Sequence, residues 1–142
     1  VDPKSEKQMA RMVDAVQPYC DEPIVAAMTC SHAGSMRSVL ASKLSGGAGA
    51  LSRTSRLPNP VFIAVGANTI FAFDYRPRGF KFKIKKEAAR WPRSEVSVAV
   101  DRSSNMAYFT LTTAGGESYA MEITTLLGGG ELVDAFFAAL SA

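Results

Sequence analysis

At 142 residues, with 47% hydrophobic and 20% charged side chains and a net charge of +3, the chain suits one domain with a single core. No apolar run reaches the roughly 18 residues needed to span a bilayer as a helix. The charge is unevenly spread. Between Arg53 and Arg93 ten basic residues face two acids, a net of +8, while the remainder carries −5, so one part of the surface is expected to attract anions.

Ser5 and Gln8 have capping-box spacing and predict a helix opening at Ser5. Met9, Met12, Val13 and Val16 recur at helical intervals, and Pro18 stops the run. Lys4, Lys7, Arg11 and Asp14 fall largely on the other side. The apolar stripe is read as packed on the core, or as a partner contact through Met9, Met12 and Val16. This helix forms an extension over 1–20, ahead of a single domain over 21–142. The chain opens Val1-Asp2-Pro3 without a methionine, which leaves open a processed start or further sequence upstream. Cys20 and Cys30 are read as free apolar residues, because one bridge between them would close only a short loop.

Ile24 to Cys30 is short, β-branched at its start and apolar almost throughout; it reads as a buried strand, with a helical turn as the alternative. A Gly/Ser/Ala-rich insertion over about 32–58 follows. Within it Met36, Val39, Leu40 and Leu44 share one helical face beside Arg37 and Lys43, a pattern that suits contact with a membrane surface or a cap over an open barrel end. Gly46, Gly47 and Gly49 then predict a loop.

From Pro60 the pattern alternates. Val61 to Val65 is a strand, Gly66-Ala67-Asn68 a turn in which Gly and Asn are expected to take positive φ, and Thr69 to Asp74 the returning strand. Arg76-Pro77-Arg78-Gly79 reads as a basic turn. Phe80, Phe82 and Ile84 alternate with Lys81, Lys83 and Lys85, which predicts a strand with one apolar face and a row of lysines spaced by roughly 7 Å. Glu87 to Arg93, with Trp91 before Pro92, reads as a break. Strands follow at Glu95–Asp101, Met106–Thr112 and Glu117–Ile123, separated by Arg102–Asn105 and Ala114-Gly115-Gly116 turns. After Gly128-Gly129-Gly130 a final helix carries Leu132, Val133, Phe136, Phe137 and Leu140 as its stripe, with Glu131 and Asp134 near its start, where the backbone dipole favours negative charge.

The expected class is α+β, mainly β: about seven strands in a meander, closed by a C-terminal helix. That order resembles the pleckstrin-homology-like superfold, and in particular its bacterial and GRAM-like members. The stretch carrying the resemblance is Val61-Phe-Ile-Ala-Val-Gly-Ala-Asn-Thr-Ile-Phe-Ala-Phe-Asp74, joined by the Trp91-Pro92-Arg93 break and the final Glu131-Leu132-Val133 helix. The resemblance covers roughly Ile24 to Ala142 and implies a partly open antiparallel barrel with a capping helix. The N-terminal helix and the insertion are additions to that plan.

The sequence carries no recognisable catalytic pattern. His32, the sole histidine, lies two residues from Cys30, which is too few groups for a structural zinc site and lacks a third residue to orient a nucleophile pair. Gly-x-Ser-x-Gly, Walker-type and His-Glu-x-x-His patterns are missing from the sequence. No enzyme activity, cofactor or metal is therefore expected. The expected function is a binding module contacting anionic lipid headgroups or an acidic protein through Arg76, Arg78, Lys81, Lys83 and Lys85, with Lys86 beside them. The alternative for these lysines is a solvated strand that resists edge-to-edge pairing. A homo-oligomer or partner-binding scaffold using the N-terminal helix or Met36–Leu44 is the second function. Nucleic-acid binding through Tyr75, Phe80 and Phe82 among the basic residues is the third. A cytoplasmic location, peripheral at the membrane, fits the first.

Overall fold

The computed structural model describes residues 3–33, 57–79, 81–102, 106–124 and 130–141. Helix α1 (Pro3–Val16) leads into a 3-10 turn (Gln17–Tyr19), then strands β1 (Ile24–His32), β2 (Val61–Gly66), β3 (Thr69–Arg78) and β4 (Lys81–Pro92). A second 3-10 turn (Arg93–Glu95) leads to β5 (Val96–Arg102), β6 (Met106–Thr113), β7 (Ser118–Thr124) and helix α2 (Gly130–Ser141). The strands form one seven-stranded sheet in the order β4-β3-β2-β1-β7-β6-β5, with antiparallel pairing throughout. This is the expected mainly-β α+β class with a helix at each end. The Met36–Leu44 segment, with Met36, Val39, Leu40 and Leu44, lies outside the described residues, as does Phe80.

α1 starts two residues before the expected cap. Pro3, whose fixed φ suits the first helical position, opens it, and Ser5 is a buried residue inside the first turn rather than a cap. Of the two readings of the stripe, packing on the core is the one seen, and the partner contact through Met9, Met12 and Val16 is corrected: Met12 (2% exposed) and Val16 (0%) belong to the core, and Met9 and Val13 pack against it. Gln17 then fixes the exit. Its side-chain amide donates to the Glu22 carbonyl (2.9 Å) and its oxygen accepts from the Ile24 N–H (2.9 Å).

β1 joins the two halves of the sheet. Ile24 to Cys30 pairs with β2, and Ser31 and His32 pair with β7. The β2–β3 hairpin is buried on both sides, which is why its sequence is apolar almost without interruption: Val61, Ile63, Val65, Ile70 and Ala72 on one side, Phe62, Ala64, Phe71 and Phe73 on the other. The second side meets the α1 region through Tyr19, whose ring stands edge-on to Phe73 at 6.4 Å. On the first side the sheet folds over on itself. Trp91, paired with Ile70, lies 5.4 Å from the Tyr119 ring of β7. α2 closes this layer with all five expected residues buried, Phe136 and Phe137 lying 5.8 and 5.6 Å from Phe109.

Three local expectations are corrected. The Gly66–Asn68 turn forms without positive φ; a Cβ at Gly66 would come within 2.8 Å of the Glu22 carboxylate, which accepts the Asn68 N–H at 2.5 Å, so a larger residue there would have to displace that side chain. Arg76, Pro77 and Arg78 are not a turn but the end of β3, and the chain reverses at Gly79, whose φ of 59° is in the region open to glycine. Glu87 to Pro92 is not a break but the continuation of β4. Its register against β3 slips twice, leaving Lys85 and Ala88 as extra residues, and these bulges erase the alternation that marks a strand in sequence. Arg93 secures the corner that follows. Its backbone N–H donates to the Asn68 carbonyl (2.9 Å) and its guanidinium to the carbonyls of Gly66 (3.0 Å) and Ala139 in α2.

Candidate functional site

The β3–β4 ribbon is built on an aromatic base. Tyr75, Phe82 and Ile84 turn to one side, where Phe62 stands edge-on to Tyr75 and Phe82 at 5.3 Å each. Burial raises the Tyr75 phenol pKa, against a hydrogen bond with Thr29. With that side committed to the core, alternation sends Arg76, Arg78, Lys81 and Lys83 to the other.

Register then sets the electrostatics. Arg76 lies directly across from Lys83, and Arg78 across from Lys81. Two like-charged cross-strand pairs are stacked along the ribbon, an arrangement that costs stability. All four residues are exposed, and none of their side chains makes a hydrogen bond or ion pair with another described residue. Lys86 is opposite Asp74, so the charge there is balanced across the ladder. Lys85 is the extra residue of a bulge with no partner on β3, so the expected row of three lysines is two long. The positive patch extends across the ribbon through the arginines rather than along one strand.

The sequence-level reading identified these cations but not their pairing. It also missed a groove of about 770 Å³ that the fold opens beside them, lined by Arg11, Asp14, Ala15, Lys81 and Phe82. Arg11 and Asp14 read in sequence as the wet side of a helix, and nothing local links them to β4.

The remaining candidates are structural. Cys30 is fully buried, which pushes its thiol well above the usual range and away from nucleophilic use. Burial likewise raises the Cys20 thiol, to about 11. His32 is spent on its loop, with Nε2 2.9 Å from the Pro58 carbonyl oxygen and its backbone N–H donating to Asn59 Oδ1 at 3.2 Å. Burial lowers its pKa. Glu122, 1% exposed, lies in register between Ser31 and Tyr108. Among the described residues no group of three or more His, Cys, Asp or Glu is placed to hold a metal, and no helix is long and apolar enough to cross a membrane. Of the rings expected to stack on bases, Tyr75 is buried and Phe82 half-buried against Phe62, while Phe80 lies outside the described residues.

Comparison of the chain with protein-family models, with curated proteins and with solved structures finds no match.

Proposed function

We propose that this is a non-catalytic binding module of the pleckstrin-homology-like kind, peripheral at an anionic membrane surface, with the tip of the β3–β4 ribbon as its contact. The observation that carries the reading is the stacking of Arg76/Lys83 and Arg78/Lys81 on one side of the ribbon, with no acidic partner among the described residues. Such pairs repel in the free protein, and phosphate or carboxylate groups of a headgroup layer relieve that repulsion. The antiparallel order of the strands and the C-terminal helix over Phe109 support the fold resemblance.

Each Lys or Arg near an anionic surface contributes roughly 1 kcal/mol. The double reversal Lys81→Glu, Lys83→Glu is therefore expected to weaken sedimentation with phosphatidylserine vesicles by at least about 100-fold, with the circular dichroism spectrum unchanged. Undiminished sedimentation of a folded double variant defeats the reading.

A further inference from the structure

The groove between α1 and the start of β4 opens beside the ribbon's charged side, and Lys81 borders both. Phe82 packs one part of its ring on Phe62 (5.3 Å) and Tyr75 (6.1 Å), and the half-exposed remainder lines the groove with the Ala15 methyl. At about 770 Å³ it falls within the roughly 300–1,000 Å³ typical of small-molecule sites. Its charged lining is mixed, with Arg11 and Asp14 from the helix and Lys81 from the strand. Arg11 and Asp14 are three residues apart on α1, a spacing that permits an ion pair, yet their side chains bond neither to each other nor to any other described residue. Arg11 and Lys81 thus bring to the groove two cations whose side chains have no acid partner among the described residues.

We propose that this groove binds a small anionic amphiphile, whose chain lies on Phe82 and Ala15 and whose carboxylate or phosphate meets Arg11 and Lys81. Arg11 and Lys81 set the preference for an anion. Asp14, the one acid among the described lining residues, weakens the hold on any anion and limits the ligand's negative charge. The site differs from the ribbon patch in needing apolar contact as well as charge, and the two share only Lys81.

The full-length, ¹⁵N-labelled chain titrated with sodium dodecanoate below its aggregation concentration tests this. Saturable one-to-one binding is expected, with shifts centred on the Ala15 and Phe82 amides. Arg11→Gln and Lys81→Gln should each weaken it by about fivefold, and Asp14→Asn should tighten it by a similar factor. Ala15→Trp obstructs the apolar part of the groove and should weaken binding by at least about tenfold. Arg76→Glu, at a position that faces Lys83 rather than Lys81 across the ribbon, should change dodecanoate affinity by less than about twofold while reducing vesicle sedimentation, so the two sites fail separately. Equal binding of dodecyltrimethylammonium, unchanged affinity in Ala15→Trp or Asp14→Asn, or the lack of any saturable shift would overturn the proposal.

Discussion

The two ends of the β3–β4 ribbon treat positive charge in opposite ways. At the end near Pro92, Arg90 is held by two acids: Glu87, which accepts from its Nε and Nη2 at 2.8 and 2.6 Å, and Asp21 at 3.1 Å. Its guanidinium also lies 4.9 Å above the Phe71 ring. These partners keep it charged well beyond the ordinary guanidinium range, Glu87 contributing most. At the other end Arg76, Arg78, Lys81 and Lys83 crowd one side of the ribbon, and their side chains bond to no other described residue. One ribbon therefore separates two uses of a cation. The paired one fastens β4 to the loop before β1, and the unpaired ones are available to something outside the chain.

The comparison can be broken most forcefully at the paired end. Phe71 is fully buried beneath Arg90, so Phe71→Ala should lower the unfolding free energy by about 3–5 kcal/mol, read from urea denaturation. A loss below about 1 kcal/mol would mean that this end is not anchored as described.

At the unpaired end the expected sign reverses. Arg76→Glu replaces a like-charged pair with an opposite-charged one against Lys83, and should stabilise the fold by about 0.2–1 kcal/mol while weakening vesicle association. A variant that loses stability and vesicle binding together would point to a structural role for Arg76.

The smallest expected effect sharpens the view that in-chain partners absorb charge elsewhere. Glu22 bonds to Thr69 and to the Asn68 N–H, and these hydrogen bonds hold its pKa below the ordinary value of 4.5. Its contribution to stability is therefore present above the unfolded-state pKa and is lost as pH falls through the lower folded-state value. Glu22→Gln should flatten the melting temperature against pH only in that acidic window, and an unchanged slope there would remove Glu22 from this role.

Much of this architecture was legible because its signals are local. The Val61–Val65 run, the valine strand and the five-residue stripe of α2 each carry their period in consecutive residues. β4 was legible only to Ile84, since the extra residues Lys85 and Ala88 shift the phase and make the rest resemble a loop. The place of the reversal, after Arg78 rather than across Arg76–Gly79, sets the register that puts Arg76 opposite Lys83, so the cations could be named from the sequence but not their grouping. Gln17, Glu22 and Arg93 act on partners brought near only by folding, and Arg93 reaches as far as Ala139. The α1 stripe showed its periodicity plainly, but periodicity does not say whether a sheet of the same chain or another molecule will cover it.

β1 has a consequence for how the molecule assembles. The strand completes its ladder only when Ser31 and His32 meet Glu122 and Met121, about ninety residues further along the chain. A nascent chain ending before β7 would hold the β1–β4 hairpins with one margin unfinished and no seat for the closing helix. Closure of so long a loop makes the seam a late event, and refolding should fall in the millisecond-to-second range of domains dominated by distant contacts. This seam, which the Ala33 N–H extends by donating to the Ala120 carbonyl at 3.0 Å, is also where deuterium should enter the sheet first when the halves part.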